Sequence, residues 1–180
     1  VCSLQGAKKV CSRDFPRTSG AGGISGIAID STDNLYIAVK VRHEVQKVDA
    51  EGNFVLKFGK HSSSHDWGTK PPGGYFRHSG NMRSLGGIAI DSQDNVFVVD
   101  GADGRIQKFN SSGQFLKEIT GLRSDTSPGM QGIAIDSKDN LYVAIGAAHQ
   151  IFKFDSNDKL VRKWGKQGCG KGEFKRGGSG

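Results

Sequence analysis

Short runs of alternating apolar and polar residues recur along the whole chain. The segment Gly-Ile-Ala-Ile-Asp begins at Gly26, Gly87 and Gly132, and a run rich in β-branched and aromatic residues follows each copy. An alternation with a period of two predicts strands, and the Asp and Asn residues between the two runs favour tight turns. The pattern therefore predicts an all-β chain that is built from a repeated unit.

Each repeated unit predicts four strands. Gly-Ile-Ala-Ile-Asp is the first strand, and the second is Asn-Leu-Tyr-Ile-Ala at 34–38 or its copies at 95–99 and 140–144. The third strands lie at 44–48, 105–109 and 150–154, and the fourth at 54–58, 115–119 and 160–164. Four antiparallel strands in about 45 residues are typical of a β-propeller blade, so the sequence predicts three blades.

The spacing of the repeats sets the organisation of the chain. The three copies start 61 and 45 residues apart, and the additional residues lie between Gly59 and Gly86. The predicted segments are an entry segment with the end of a preceding blade at 1–25, blade 1 at 26–59, a long basic inter-blade loop at 60–86, blade 2 and its connector at 87–131, blade 3 at 132–165, and the start of a further repeat at 166–180.

The repeat resembles that of the NHL family of β-propellers. That family reads roughly G-x-G-x-G-E-F, then G-I-A-V-D, N-x-Y-V-x-D, N-x-R-I-Q-x-F and G-x-F, and residues 87–115 and 164–174 follow it closely. Because closed propellers usually carry four to eight blades, three blades predict half of a six-bladed ring. Further NHL blades in a parent chain, or a second copy of this chain, would close it.

The positive charge of the chain is concentrated in the segments between blades. The net charge is +7, and segments 6–25, 60–86 and 165–180 each carry a net +3. In a blade these connectors lie at the same end as the loops between second and third strands, so the sequence predicts one basic face that attracts anionic partners. The alternative is that charge only solvates long polar loops.

This face supplies the candidate binding residues. A protein or a single-stranded RNA is the expected partner, and Trp67 and Tyr75 lie among the basic residues where bases stack on rings. His43 and His149 occupy matching loop positions and are expected to be solvent-exposed. The predicted partner-binding residues are Arg17, Arg42, His43, Trp67, Lys70, Tyr75, Arg77, Arg83, Arg123, His149, Lys171 and Arg176.

Other recurring residues are predicted to be structural. Phe15, Phe76 and Phe174 recur at one position of the entry segment and are expected to plug the space between blades. In blade 2, Asp100 and Arg105 are expected to form an ion pair that braces the loop. The other two blades lack both members, which leaves their loops free for contacts.

No catalytic residue, metal site or cofactor is predicted. The cluster His61, His65, Asp66 and His78 lies in a Gly- and Ser-rich loop without the preorganised geometry of a zinc site. Residues 144–155 are also similar to a stretch of the zinc-dependent amidating lyases that cleave peptidyl-hydroxyglycine. The zinc-binding histidines of those enzymes would fall on Ser25, Gly86 and Gln131, so the zinc ligands are absent here. The scaffold resemblance still makes a lyase of this type the alternative to a binding module.

The cysteines, the hydropathy and the family resemblance bear on the compartment and the parent protein of this chain. Cys2, Cys11 and Cys169 form neither a disulfide framework nor a Cys-x-x-Cys pair, and no apolar run approaches a membrane span. The sequence favours a cytoplasmic protein without membrane contact, with an extracellular location as the alternative. The NHL resemblance implies the substrate- or RNA-binding domain of a tripartite-motif ubiquitin ligase.

Overall fold

The computed structural model describes residues 2–5, 8–11, 23–62, 74–77, 85–101, 103–122, 130–168 and 170–174. Regular structure in these residues is β-strand, with short 3-10 turns at Lys40–Arg42 and Gly146–Ala148. Strands β1 (Cys2–Gln5) and β2 (Lys8–Cys11) form an antiparallel hairpin. None of the helical turns in these residues has the length and apolar character needed to cross a membrane.

Three four-stranded antiparallel sheets follow, one for each predicted blade. Blade 1 consists of β3 (Ile24–Ile29), β4 (Leu35–Val39), β5 (Glu44–Val48) and β6 (Phe54–Phe58). Between blades 1 and 2, β7 (Lys60–Ser62) and β8 (Tyr75–Arg77) pair in parallel.

The second and third sheets repeat this order. Blade 2 consists of β9 (Leu85–Ile90), β10 (Val96–Asp100), β11 (Arg105–Phe109) and β12 (Phe115–Ile119). Blade 3 consists of β13 (Met130–Ile135), β14 (Leu141–Ile145), β15 (Gln150–Phe154) and β16 (Leu160–Trp164). The prediction of an all-β chain with three four-stranded antiparallel blades is confirmed.

The turn between the first two strands is built by one aspartate side chain. Asp30 Oδ1 accepts hydrogen bonds from the backbone N–H groups of Thr32 and Asn34, at 3.0 and 2.9 Å. Burial alone raises the pKa of Asp30, but hydrogen bonds from Asn34 and Lys47 outweigh it and hold the pKa below its usual range. Asp91 and Asp136 accept the same bonds in their own turns, which explains why the motif repeats.

The hydrophobic core lies between blades rather than within one. Tyr36 and Phe58 of blade 1 pack against Val98 and Phe109 of blade 2. On the other side of blade 2, a second cluster joins it to blade 3; this cluster includes Phe97, Ile119, Val143 and Phe154. Because neighbouring residues of a strand point to opposite faces, both faces of blade 2 are covered.

A polar contact joins neighbouring blades at the end opposite the 3-10 turns. The backbone N–H and the hydroxyl of Ser31 donate to the Asp94 carboxylate at 2.8 and 2.7 Å. Ser92 donates in the same way to Asp139 at 2.9 and 2.6 Å. We call this repeated contact the serine–aspartate clasp.

Candidate recognition face

The strand order places the candidate binding segments at one end of the blades. In an antiparallel sheet, the loop between the second and third strands lies at the same end as the connector to the next blade. The close approach of the loop to the connector confirms this, because a Cβ atom on Gly59 would lie 3.1 Å from the carbonyl oxygen of His43. We call this end the loop face.

A phenylalanine seals each described connector against the blade before it. Gly59, at φ +89°, leaves room for the Phe76 ring, which a Cβ would approach to 2.5 Å. Phe76 is 0% exposed, and its ring centroid lies 6.2 Å from that of Phe109 in blade 2. The predicted plug role is confirmed for Phe76. Phe15 lies outside the described residues.

Beneath the loop face of blade 2 lies a buried charge network. Arg105 Nε donates to Asp100 Oδ2 at 3.0 Å, and its Nη1 donates to Glu118 Oε2 at 2.7 Å. Gln107 Nε2 donates to the same Asp100 oxygen, while its Oε1 accepts from the Gly74 backbone N–H at 2.8 Å. The predicted Asp100–Arg105 pair is therefore confirmed, and it also anchors the connector.

The Asp100 carboxyl is held in an unfavourable position for an anion. It is 0% exposed, and its Oδ1 atom has no hydrogen-bond partner among the residues described. Burial raises the pKa of Asp100 to about 7, against the opposing charge of Arg105. The site accordingly favours the protonated acid more than an ordinary aspartate site does.

Blade 1 lacks both members of the Asp100–Arg105 pair, as expected, because Val39 and Glu44 stand at their positions. A different network replaces the pair: Glu44 pairs with Lys57 at 3.2 Å and with Arg42 at 3.8 Å. Gln46 Nε2 donates to Glu44 at 2.7 Å, as Gln107 does to Asp100. The charges around the Glu44 position are opposite in sign to those around Arg105, so the sequence analysis, which compared residue types, missed this network.

Blade 3 replaces the network with apolar contacts. Ile145 and Gln150 occupy the positions of Asp100 and Arg105, as the strand registers show. Lys163, at the Glu118 position, lies over the Phe152 ring at 4.2 Å from its centroid. The three loops therefore differ in the chemistry that lies beneath them.

The two loop histidines are conformational elements rather than exposed side chains. His43 and His149 both adopt left-handed conformations, with φ values of 53° and 54°, and end the 3-10 turns. His43 is 5% exposed, so the prediction that it is solvent-exposed is wrong. His149 is partly buried.

The remaining candidate residues divide into three groups. Arg42 and Lys171 are exposed on the loop face. Tyr75 and Arg77 lie in β8, which pairs in parallel with β7. The rest lie outside the described residues: Arg17, Trp67, Lys70, Arg83, Arg123 and Arg176.

The charges that reach solvent on the loop face share one sign. Within the described part of the face, the exposed charged residues are Arg42, Lys60, Lys166 and Lys171. The acidic groups there are buried or ion-paired, as Asp100 is with Arg105 and Glu173 is with Lys166. Among the described residues of this end, exposure therefore favours cations over anions.

The positions that correspond to the lyase histidines have structural surroundings. The Ser25 hydroxyl donates to the Ala38 carbonyl oxygen at 3.4 Å. A Cβ on Gly86 would approach the Val99 side chain to 2.7 Å, so this position requires glycine for packing. In the described segments, no group of three or more His, Cys, Asp or Glu residues is arranged to hold a metal ion.

Comparison with solved structures places the fold among β-propellers. The chain is similar to virginiamycin B lyase from Staphylococcus aureus (TM-score 0.56, 11% identity, covering 87% of this chain and 47% of that one). It is also similar to the WD40 repeats of RRP9 (TM-score 0.57, 19% identity, covering 81% of this chain and 39% of that one). Neither a protein-family model nor a curated protein sequence matches the chain.

These similarities concern the fold. A protein of unknown function from Bacteroides caccae gives a TM-score of 0.54 at 16% identity, over 87% of this chain and 52% of that one. The chain thus spans about half the length, or less, of the solved structures that it matches.

Proposed function

We propose that this chain is a non-catalytic recognition module that binds an anionic macromolecule through its loop face. The observation that carries the proposal is the single sign of the exposed charge there, at Arg42, Lys60, Lys166 and Lys171. The opposite end of the blades consists of hydrogen-bonded Asp turns and exposes charges of both signs, including Asp33, Glu51, Lys138 and Lys159. The described part of the loop face differs from it in exposing only cations.

An acidic protein segment is the partner class that the face fits best. Single-stranded nucleic acids are held by exposed aromatic rings as well as by cations. Phe76, which lies in the connector of this face, is 0% exposed and packs against Phe109, so bases cannot stack on its ring. Phe174, at the matching position, is 40% exposed but has one part of its ring against Gly165. The exposed ammonium and guanidinium groups suit carboxylates without any need for stacking.

The repeat resemblance suggests a biological setting for this binding. The copies of Gly-Ile-Ala-Ile-Asp and the match over residues 87–115 support a propeller of the NHL type. In that setting the module would be the substrate-binding part of a ubiquitin ligase in the cytoplasm. This assignment follows from sequence similarity, whereas the binding proposal follows from the charge of the face.

Paired charge reversals test the binding proposal. The variant Lys60→Glu/Lys171→Glu reverses two exposed charges on the loop face, and Lys138→Glu/Lys159→Glu reverses two exposed charges at the opposite end. Both variants change the net charge equally. With a fluorescent poly-glutamate peptide as the probe at low salt, we expect the first variant to bind at least about tenfold more weakly and the second to bind nearly as wild type.

The same titration separates the partner classes. If an oligouridine probe binds more tightly than poly-glutamate, with a logarithmic salt slope of about −0.7 per phosphate contacted, then RNA is the partner. Equal losses in the two charge-reversed variants would show that only the net charge matters and would contradict a specific loop face.

A further inference from the structure

The outer face of blade 1 exposes residues that are buried in blade 2. Ile27 and Ile29 are each 61% exposed. Ile88, at the position of Ile27 in blade 2, is 6% exposed because blade 1 covers it. On the same face, Ile37, Val39 and Val48 are 7%, 0% and 7% exposed. The open part of this face is therefore its first strand, β3, and we call that part the leading face.

The outer face of blade 3 shows the complementary pattern. Tyr36 and Phe97, on the side that meets the next blade, are 0% and 3% exposed. Their counterpart Tyr142 is only half-buried, with its ring edge against Trp164 at a centroid distance of 6.1 Å. Ala134 is exposed, whereas Ala89 at the same position in blade 2 is 8% exposed. We call this the trailing face.

The phenylalanine plug after blade 3 is also more exposed than the one after blade 1. Gly165 and Phe174 repeat the contact of Gly59 with Phe76, since a Cβ on Gly165 would lie 2.6 Å from the Phe174 ring. Phe174 is nevertheless 40% exposed, compared with 0% for Phe76. The ring of Phe109, which covers Phe76 from blade 2, has no counterpart beside blade 3 in the described residues.

The serine–aspartate clasp leaves one half at each outer face. Ser31 bonds Asp94, and Ser92 bonds Asp139. The next donor in the series is Ser137 on blade 3, and the unused acceptor is Asp33 on blade 1, at φ 63° like Asp94 at 59°. Neither the Ser137 hydroxyl nor the Asp33 carboxylate has a partner within the described ranges.

We propose that a second copy of this chain occupies both outer faces, with the leading face of each copy on the trailing face of the other. Ser137 of each copy then donates to Asp33 of its partner, and Ile27 packs toward Tyr142. Closed propellers usually carry four to eight blades, and among multiples of three only six lies in that range. Two head-to-tail interfaces therefore close a ring, whereas one interface leaves it open.

The chemistry of the faces favours a copy of this chain over an unrelated protein. Each outer face carries the residue types that meet at the two junctions inside the chain, including the two halves of the clasp. The described surfaces therefore already contain both sides of the required interface. A partner without the Asp-turn repeat would leave Asp33 and Ser137 unpaired.

Blocking one face at a time tests the arrangement by sedimentation equilibrium. The wild-type chain is expected at twice its 19.3 kDa mass. Ile27→Lys places a charge on the leading face and Ala134→Lys places one on the trailing face. Each variant by itself is expected to be monomeric. A mixture of the two is expected to form a 1:1 complex, since one intact face of each kind is then present.

Leu116→Lys is the matched control. Leu116 is 46% exposed although blade 2 is covered on both faces, so its side chain lies outside any blade junction. This variant is expected to remain dimeric, and circular dichroism checks that every variant keeps its strands. A monomeric wild-type chain overturns the proposal, as does a dimer that survives either face-blocking substitution. A mixture of the two blocked variants that stays monomeric also contradicts head-to-tail pairing.

Discussion

Phe76 contributes to the blade junction although it belongs to a connector. Its ring lies over Gly59 and close to Phe109, in the cluster that also contains Phe58. The glycine at φ +89° is required because a side chain there would displace the ring. A single residue pair thus fixes where the connector returns to the blade.

Truncation of this ring measures its contribution to stability. Phe76→Ala is expected to lower the free energy of unfolding by about 3–5 kcal/mol, because it leaves a cavity between two blades. Phe54→Ala is the control, since Phe54 is 51% exposed on the outer strand of blade 1. Urea unfolding should show a change of at most about 1 kcal/mol for Phe54→Ala. Equal losses in the two variants would contradict the plug role.

The buried Asp100 predicts a particular pH dependence. Its folded pKa of about 7 lies above the value of 3.8 that it has when unfolded. Folding therefore takes up a proton in that window, and this group's contribution to stability is lost as the pH rises from about 4 to about 7. Urea unfolding at several pH values should show a smaller decline in Asp100→Asn than in the wild-type chain.

Asp30→Asn provides the control for this measurement. The folded pKa of Asp30 is lowered, so its contribution is present above about pH 4 and is lost as the pH falls through the folded value. This variant is expected to keep the wild-type decline between about pH 4 and pH 7. An unchanged decline in Asp100→Asn would show that Asp100 is ionised throughout that window.

At the scale of single elements, the loops between second and third strands separate backbone form from chemistry. The loops of blades 1 and 3 end a 3-10 turn at a left-handed histidine, and the blade 2 loop places Gly104 at the same position with φ 63°. The charges beneath are cation-centred in blade 2 and anion-centred in blade 1. Each blade can therefore place different side chains beneath this loop, as long as every buried charge is paired.

The Arg105 network of blade 2 is more buried than the Glu44 network of blade 1, so substitutions in the two are expected to change the free energy of unfolding unequally. Arg105→Gln is expected to cost about 3–5 kcal/mol of unfolding free energy, because Asp100 and Asp103 stay buried without their cation. Glu44→Gln is expected to cost roughly 1 kcal/mol, since its partners Lys57 and Arg42 are 57% and 45% exposed and remain hydrated. Thermal or urea unfolding of both variants tests the comparison. Similar losses would show that burial does not set the difference.

At the scale of the whole molecule, the proposed binding and the proposed ring closure would use different surfaces. The loop face lies at the strand ends, whereas the leading and trailing faces lie on the sides of blades 1 and 3. Ile27→Lys is therefore expected to abolish dimer formation while each chain retains its affinity for the acidic probe. The two proposals can then fail independently, because one is read by mass and the other by binding.

The strands and turns could be predicted from local patterns. Alternation identified all twelve blade strands, and the Asp-Asn turns matched because their hydrogen bonds join residues within one turn. The phenylalanine plug was also predictable, since its position recurs with the repeat. The inverted network around Glu44 was missed because its partner Lys57 lies on a different strand and carries the sign opposite to that of Glu118.

The sequence by itself determined the repeat and the three four-stranded blades of the described structure, because these depend on short-range periodicity. Only the tertiary structure decided which side chains stay exposed. His43 and Ile27 show the difference, since the histidine is buried while the isoleucine faces solvent where no blade precedes it in the described structure. Exposure depends on contacts between distant residues, and both the proposed binding face and the proposed blade interfaces rest on it.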